Sequence, residues 1–316
     1  MSLIDRVDPE LRAGLEAFPP DLLDLTDISG TRAKLAALFG MLPAPVIEGV
    51  SSEDRQIPGP PGDPAVFVRI YQPAVRPAVL PALLWIHGGG YVLGDVAGDD
   101  ARARHLAQAI NCVVVSVEYR LAPEHPFPAP VEDCYAALKW LASNAAELGV
   151  NPQRIAIGGA SAGGGLTAGL ALLARDRGEV PVCFQLPIYP MIDDRNVTPS
   201  SQAITDPRVW NRQSNLLAWQ AYLGREPDDD VSPYAAAFRA TDLRGLPPAY
   251  IPVGEFDLFL DEDIAYAQRL LRAGVPTELH VYRGCYHGSD IFVPNADVSQ
   301  RFTAGCEAAL KRALHG

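Results

Sequence analysis

A serine near the middle of the chain lies in a run of very small residues. Residues 154–165 read RIAIGGASAGGG, so a buried-type strand runs directly into GASAG at 159–163, and the apolar helical sequence LTAGLALLAR follows. Small residues around Ser161 permit a sharp strand-turn-helix bend that exposes a nucleophilic hydroxyl. The same composition also suits phosphate binding or plain helix–sheet packing, so this motif alone leaves three interpretations open.

A glycine-rich loop favours the nucleophilic interpretation over an ordinary turn. The predicted strand ALLWI at 82–86 runs directly into HGGGY at 87–91. Backbone N–H groups aimed at the oxyanion of an acyl-transfer intermediate can each contribute about 3–4 kcal/mol. The predicted donors are the N–H groups of Gly88, Gly89 and Ala162, the last at the positive end of the helix that follows the serine.

A neutral serine needs a base, and the chain has six histidines. Three lie inside predicted elements or at the chain end, and two have competing positions in the glycine-rich loop and in the proline-rich EHPFPAP. His287 lies four residues past the predicted strand 277–283, in the loop GCYHG. We therefore predict that His287 is the general base.

Several carboxylates compete for the role of the acid that orients this histidine. They follow the predicted strand AYIPVG at 249–254. Asp261 directly precedes an amphipathic helix, so capping that helix is its expected role. Asp257 is closer to the strand end and has apolar neighbours that could bury it beside His287. Asp257 is the preferred candidate, and Asp261 and Glu255 remain alternatives.

The candidates each follow a different predicted strand. From about residue 65 the chain alternates short apolar runs with amphipathic segments, which predicts βαβ units and a largely parallel sheet, with an antiparallel edge near 66–72. The predicted strands are 66–72, 81–86, 112–118, 154–158, 182–188, 248–253 and 277–283, and the predicted helices are 99–110, 130–148, 164–177, 261–273 and 296–314. Open α/β sheets bind ligands beyond the carboxyl ends of their strands, so we expect the candidates to meet there.

Two stretches interrupt this alternation. The expected organisation is N-terminal cap helices at 1–45, a first part of the catalytic core at 46–189, a cap insert at 190–245 and a second part of the core at 246–316. We expect the two cap segments to cover the candidate site. Their apolar surface would come from Trp210, Leu216, Leu217, Trp219 and Tyr222. Packing within the insert's own core is an equally weighted alternative for these side chains.

The composition excludes several classes of function. The 316 residues carry a formal net charge of −12 and no basic stripe, so nucleic acid is not an expected partner. The five cysteines lack the spacing of a metal site or a disulfide framework, so we expect no metal or other cofactor. The opening residues lack a signal-peptide pattern, and no apolar run approaches the roughly 20 residues that cross a bilayer. We therefore expect a cytoplasmic protein without a membrane partner.

Six stretches together resemble the bacterial hormone-sensitive lipase-like esterases, also called family IV esterases. They are HGGGYVLGD (87–95), VEYRLAPEHPFPAPVED (117–133), GGASAGGG (158–165), SPYAA (232–236), LRGLPPAYIPVGEFDLFLDEDIAYAQRLLRAGV (243–275) and YRGCYHG (282–288). The resemblance implies an α/β-hydrolase fold, with a mostly parallel eight-stranded sheet flanked by helices and a helical cap. It also implies a catalytic triad and oxyanion donors at Ser161, Asp257, His287, Gly88, Gly89 and Ala162.

By this resemblance the protein is a serine carboxylesterase that cleaves short- to medium-chain acyl esters through an acyl-enzyme on Ser161. Tyr91, Leu216 and Leu258 are expected to contact the substrate, and a homodimer is compatible with the family. An amidase or lactonase with the same triad is an alternative, as is a ligand-binding protein without catalytic activity. Loss of the histidine would indicate the ligand-binding protein.

The sequence also departs from the family pattern at three places. Ala160 stands where a polar residue usually precedes the nucleophile, and Ser289 stands where Phe usually follows His-Gly. The family's Asp-Pro-Leu-x-Asp appears as DLFLD at 257–261. These departures leave the triad intact and bear on substrate preference.

Overall fold

The computed structural model describes residues 3–20, 22–41, 47–76 and 78–316. Within these residues the strands are β1 (Val50–Ile57), β2 (Val66–Pro73), β3 (Leu80–Ile86), β4 (Val113–Glu118), β5 (Val150–Ala160), β6 (Phe184–Ile188), β7 (Ala249–Phe256) and β8 (Thr277–Tyr286). They form one sheet in the order β1-β2-β4-β3-β5-β6-β7-β8. β2 is antiparallel to both β1 and β4, and the strands from β4 to β8 run parallel.

The helices connect these strands and extend beyond them. They are α1 (Leu3–Arg6), α2 (Pro9–Ala17), α3 (Ile28–Met41), α4 (Asp100–Ile110), α5 (Ala129–Ser143), α6 (Ala145–Leu148), α7 (Ala162–Arg177), α8 (Pro199–Ala203), α9 (Arg212–Leu223), α10 (Leu260–Arg272), α11 (Ser289–Phe292) and α12 (Asp297–His315), with short 3₁₀ turns at Leu25–Asp27 and Ala237–Arg239. The helix predicted over 130–148 is two helices, because the backbone leaves helical geometry at Asn144.

All seven predicted strands are confirmed, as is the eight-stranded sheet that the resemblance implied, but the position of the eighth strand, β1, was not predicted. Its sequence, VSSEDRQI, is polar, and only its last residue is buried. β1 is an edge strand held to β2 by an antiparallel ladder and by the Arg69–Asp54 ion pair. A strand with so little buried surface lacks the hydrophobic periodicity from which strands are predicted.

The central strands are buried because helices cover both faces of the sheet. Every residue of β3 is buried, and alternate side chains point to opposite faces. Leu84 and Ile86 pack in the cluster that contains α5 and α7, whereas Leu83 and Trp85 pack in the cluster that contains α4 and α12. This two-sided burial explains the continuous apolar runs in the sequence.

The carboxyl ends of the parallel strands lie along one edge of the sheet. β3 leads into the glycine-rich loop, β5 into Ser161, β7 into Asp257 and β8 into His287. β8 extends to Tyr286, so His287 follows its strand directly. The expectation that His287 lies four residues past the strand, in a flexible loop, is therefore wrong. This histidine therefore has a more rigid support than the sequence indicated.

The N-terminal segment and the insert contact each other and the loop after β3. The Ser214 hydroxyl of α9 donates to the carbonyl of Leu23 at 2.9 Å. Trp219 and Tyr222 are fully buried and pack on Tyr91 of the glycine-rich loop, so they fill the junction between insert and core. The expected boundary between residues 45 and 46 lies outside the described residues. In the described parts of the chain, no helix combines the length and apolar character that crossing a membrane requires.

Candidate active site

Three of the predicted residues form a continuous hydrogen-bonded chain. The Oγ atom of Ser161 lies 2.9 Å from Nε2 of His287. On the other side of the ring, Nδ1 of His287 lies 2.8 Å from Oδ2 of Asp257. Asp257 is only 1% exposed and Ser161 8% exposed. This order of groups lets the imidazole take a proton from the hydroxyl while the buried carboxylate fixes the ring tautomer.

The bend at Ser161 is held by small residues on both sides. Ser161 has φ 59° and ψ −119°, a conformation that non-glycine residues rarely adopt. A Cβ atom at Gly159 would lie 2.5 Å from the Ile86 carbonyl oxygen, and one at Gly163 would lie 2.1 Å from the same oxygen. The Ser161 N–H donates to the carbonyl of Ile188 at 2.9 Å. The close approach of β5 and α7 to β3 therefore requires glycine at both positions.

The three acid candidates have different partners. Besides His287, Asp257 accepts the N–H of Phe259 at 3.0 Å through Oδ1. The Asp261 carboxylate accepts the N–H of Ser200 at 2.7 Å, so it caps the first turn of α8. The expectation that it caps the helix that follows it, α10, is therefore wrong. Glu255 accepts the N–H of Gly284 at 2.9 Å. Of these carboxylates only that of Asp257 is hydrogen-bonded to the imidazole in the described structure.

A buried aromatic and ionic group supports the other side of the histidine. The ring of Tyr189 meets that of His287 edge-on with centroids 4.7 Å apart. Burial raises the pKa of the Tyr189 hydroxyl well above its usual value, so it stays protonated and donates to Asp290 at 3.0 Å. Asp290 is also paired with Arg102. These residues were not predicted from the sequence, in which their only signal is that Tyr189 directly follows the predicted strand 182–188.

The glycine-rich loop lies against the nucleophile. A Cβ atom at Gly88 would lie 3.5 Å from Cβ of Ser161 and 2.9 Å from the carbonyl oxygen of Ala160. Gly89 has φ +119°, a conformation that favours glycine. Ala162 begins α7, so its N–H belongs to the first turn, where helical partners are lacking. The three predicted oxyanion donors thus lie on the two segments that border Ser161.

Hydrogen bonds and ring stacking fix the conformation of this loop. His87 stacks on Tyr119 with centroids 4.2 Å apart, and the Tyr119 hydroxyl donates to the His87 carbonyl at 3.0 Å. The Tyr91 hydroxyl donates to the carbonyl of Met191 at 2.6 Å. The Tyr91 ring stacks on Tyr222 at 3.9 Å. The loop is therefore packed from several sides.

The three residues expected to contact substrate differ in exposure. Tyr91 and Leu258 are fully buried, so neither offers surface to a ligand in this conformation. Tyr91 instead anchors the loop through its contacts with Met191 and Tyr222. Leu216 on α9 is 38% exposed and remains available for contact. The prediction from sequence did not separate residues near the site from residues that face it.

A buried glutamate holds the segment after β6, which contacts both Ser161 and Tyr91 of the glycine-rich loop. Glu262 of α10 accepts the N–H groups of Ile192 and Asp193 at 3.0 and 3.1 Å. The neighbouring Met191 donates its N–H to the Ser161 carbonyl at 3.1 Å. Burial raises the pKa of Glu262 well above its usual value. This residue entered the sequence analysis only as part of a quoted motif, since nothing local indicated its burial.

A family model described as an alpha/beta hydrolase fold matches residues 83–290, more than half of the chain. The chain belongs to this α/β-hydrolase family. The carboxylesterase NlhH of Mycobacterium tuberculosis is 39% identical over 311 residues, which cover 98% of this chain and 97% of that protein. A solved structure named bacterial heroin esterase superposes with a TM-score of 0.96 at 46% identity over 100% of both chains. Esterase LipW from Mycobacterium marinum superposes with a TM-score of 0.84 at 38% identity, covering 99% of this chain and 98% of that one.

These relatives confirm the resemblance to the hormone-sensitive lipase-like esterases and the fold that it implied. The departures from that family's pattern can now be placed in the α/β-hydrolase structure. Ala160 and Ser289 are 5% and 3% exposed, so both lie in the packed surroundings of the triad and not on the surface. Cys285 is also buried, and burial raises the pKa of its thiol to about 11, which keeps it from acting as a thiolate nucleophile. Among the described residues, no group of three or more His, Cys, Asp or Glu could hold a metal ion.

Proposed function

We propose that this α/β-hydrolase is a carboxylesterase in which Ser161 forms the acyl-enzyme. His287 takes the serine proton as the hydroxyl attacks the ester carbonyl. The N–H groups of Gly88, Gly89 and Ala162 bind the negative oxygen of the tetrahedral intermediate. His287 then protonates the departing alcohol, and the acyl group stays on the serine.

The second half of the reaction uses the same groups. Water enters after the alcohol has left, and His287 removes a proton from it as it attacks the acyl carbonyl. Asp257 stabilises the imidazolium that forms in both halves and keeps Nε2 directed at the serine. Collapse of the second tetrahedral intermediate returns the proton to Ser161 and releases the acid.

The observation that carries this proposal is the hydrogen-bonded chain from Ser161 through His287 to Asp257, with contacts of 2.9 and 2.8 Å. Its chemistry suits esters, and the matched proteins are named carboxylesterases and esterases. An amidase or lactonase would use the same groups, but these relatives do not favour either. The intact histidine argues against a ligand-binding protein without activity.

We propose acyl groups of short to medium length as substrates, with the insert and the N-terminal segment as a cap over the site. Leu216 offers exposed apolar surface on the insert, whereas Trp210 is buried against Gly90. Each accommodated methylene adds about 0.8 kcal/mol of apolar burial until space runs out. One similar structure is named for heroin, an ester whose alcohol part is bulky. This name supports the proposal that the site tolerates large alcohol groups.

The test is a series of p-nitrophenyl esters from acetyl to dodecanoyl, measured beside a matched p-nitroanilide and a lactone. We expect the highest kcat/KM at a chain length between roughly acetyl and octanoyl, because burial first raises and steric exclusion then lowers the rate. Turnover of the anilide above that of the ester would indicate an amidase. A kcat/KM that rises continuously from acetyl to dodecanoyl would contradict an acyl pocket of limited depth.

A cytoplasmic homodimer completes the proposal. β8 is an edge strand, and its Val281 is 40% exposed, which supports association through that edge. The five cysteines are free, and four of them are buried, which suits a reducing compartment. Sedimentation of the purified protein measures the oligomeric state directly.

A further inference from the structure

The loop that supplies two of the oxyanion donors is held from outside by an arginine of the N-terminal segment. We propose that Arg32 of α3 is a positioning residue for the oxyanion loop, defined here as residues 87–93. The proposal deepens the esterase function proposed above and rests on it. It assigns to the N-terminal segment a role in the chemical step, distinct from covering the site.

The guanidinium of Arg32 reaches across about sixty residues of sequence to the end of this loop. Its Nε donates to the carbonyl of Val92 at 2.7 Å. Its Nη2 donates to the carbonyl of Ala122 at 2.8 Å. One planar group thus holds two backbone carbonyls from two different loops, a geometry that suits arginine because its donors are fixed in one plane.

Both carbonyls belong to segments that determine the conformation of the glycines. The N–H groups of Val92 and Leu93 donate to the Gly89 carbonyl at 3.1 and 2.8 Å, which closes a tight turn. The Ala122 N–H donates to the Tyr91 carbonyl at 3.0 Å, so the second loop is attached to the first. Arg32 therefore joins the two loops at the place where the Gly89 peptide is oriented.

The backbone segments of this turn lie so close together that a displacement of one of them displaces the other. A Cβ atom at Gly89 would lie 2.2 Å from the carbonyl oxygen of Leu93, so the two backbone segments are already in close contact. Stabilisation of an oxyanion requires donors at about 2.7–3.1 Å from the developing charge. A small rotation of the Gly89 peptide would therefore weaken transition-state binding more than ground-state binding.

We expect the ion pair of Arg32 with Glu124 to contribute less to the position of the loop than the two carbonyl contacts do. Nη1 and Nη2 donate to the two carboxylate oxygens of Glu124 at 2.7 and 3.0 Å, but that carboxylate is 56% exposed. Exposed pairs contribute little because water screens them. The two backbone carbonyls, which are shielded from water more than the carboxylate, are the contacts on which the proposal depends.

The test compares Arg32→Ala and Arg32→Lys with two matched controls. Arg12→Ala removes an arginine of the same N-terminal segment that donates to Val7 and Asp5 carbonyls. Glu124→Gln removes only the exposed charge. For each variant we would measure kcat and KM for p-nitrophenyl butyrate, and the Ki of an alkyl trifluoromethyl ketone, whose serine adduct carries an oxyanion. Titration of reactive serine with a fluorophosphonate sets the concentration of folded sites.

We expect Arg32→Ala to lower kcat about tenfold and to raise the Ki of the ketone by a similar factor, with KM within about twofold of wild type. Lysine has a single nitrogen in place of the two that contact the carbonyls, so we expect Arg32→Lys to lose about threefold in both quantities. Both controls should stay within about twofold of wild type. A role limited to stability would lower the melting temperature and leave kcat and Ki per folded site unchanged.

Wild-type kcat and Ki in a folded Arg32→Ala protein would overturn the proposal. If that variant does not fold, Arg32→Lys decides, and wild-type values for it would overturn the proposal equally. A matching loss in Arg12→Ala would also overturn it, because the effect would then belong to the whole segment. Absence of ester hydrolysis by the wild-type protein would instead contradict the proposed function, so the two failures are distinguishable.

Discussion

The turn at Ser161 and the oxyanion loop border the same proposed reaction centre but are built in different ways. The turn at Ser161 is formed by one continuous segment, in which β5 ends, the backbone bends sharply and α7 begins. The bend is formed within that segment, where Gly159 and Gly163 permit the close approach of β5 and α7, and the neighbouring strands β3 and β6 contact it through Ile86 and Ile188. The oxyanion loop has local support from its glycines and from the turn that Val92 and Leu93 close on the Gly89 carbonyl, but its position depends on other segments.

The remaining support of that loop comes from distant parts of the chain. Arg32 holds the carbonyl of Val92, Tyr91 is anchored on Met191, and Tyr222 covers its ring. A motif of a few residues therefore suffices for the turn, whereas the loop depends on three segments that only the folded chain brings together. Substitutions at the turn should act on all steps of catalysis, and substitutions that support the loop should act in smaller, graded amounts.

The largest expected effect comes from removing the nucleophile. Ser161→Ala should lower kcat for p-nitrophenyl butyrate by about 10⁵-fold or more, because members of a triad act as a unit. The fold should remain intact, which circular dichroism and the melting temperature check. Ser143→Ala, an exposed serine at the end of α5, is the control and should be neutral. Retention of more than about a tenth of wild-type turnover would exclude Ser161 as nucleophile.

The next effect distinguishes two carboxylates four residues apart. Asp257→Asn should lower kcat by about 10⁴-fold, since the amide holds the imidazole in the wrong tautomer. Asp261→Asn should leave kcat within about twofold and cost about 1 kcal/mol of stability, because Asp261 caps α8 through the Ser200 N–H. Rates and urea unfolding of both variants measure the difference. The reverse result would assign the orienting role to Asp261.

A smaller effect is expected where the oxyanion loop meets the segment after β6. Tyr91→Phe removes the hydroxyl that donates to Met191 at 2.6 Å and leaves a buried carbonyl without that donor. We expect a loss of about 1–3 kcal/mol in stability and a loss of a fewfold in kcat. Tyr266→Phe is the matched control, because the Tyr266 hydroxyl is buried without a hydrogen-bond partner among the described residues. Equal losses in both variants would contradict a special role for the Tyr91 hydroxyl.

The smallest effect on activity concerns Glu262, which holds the segment that both regions share. Burial raises the pKa of Glu262 well above its usual value of 4.5. The unfolded chain releases this proton near pH 4.5 while the folded protein retains it, so the contribution of Glu262 to stability falls as pH rises from there through the folded pKa. Glu262→Gln keeps an acceptor oxygen and removes the titration.

Urea unfolding between pH 5 and pH 8 checks this prediction. Relative to the Gln variant, the wild-type protein should lose stability as the pH rises across that range, because the unfolded chain has released the proton that the folded protein retains. kcat at pH 7 should change less than about threefold, because an amide oxygen can still accept the two N–H groups. Glu226→Gln, at an exposed position, should parallel the wild-type curve. Parallel curves for wild type and Glu262→Gln would show that this carboxyl does not titrate anomalously.

The same contrast explains how much could be predicted from the sequence. Ser161, Asp257 and His287 each follow a strand with a strong apolar signal, so the topology of a parallel sheet brings them to one edge. The antiparallel direction of β2 was also predicted from its alternating polarity, but its expected position at the edge was wrong, because β1 pairs with its outer side. Features whose physical cause is local could therefore be predicted.

Features that depend on distant contacts could not. β1 has a polar sequence, and it is recognisable as a strand mainly by its pairing with β2 in the folded chain. Tyr91 lies in a motif of the site, but only packing decides that it is fully buried. Arg32 is an ordinary residue in an N-terminal helix until the fold brings it to the oxyanion loop. Such placements arise from tertiary packing, which hydrophobic periodicity does not encode.

The central claim is that an acyl group is transferred to Ser161. The most direct measurement is mass spectrometry of enzyme quenched in acid during turnover of p-nitrophenyl butyrate, followed by peptide mapping. The account predicts a mass increase of one butyryl group on the peptide that contains Ser161, and no such increase in Ser161→Ala. A butyryl group on another residue, or turnover at the wild-type rate with no acylated enzyme and no burst of p-nitrophenol, would contradict it.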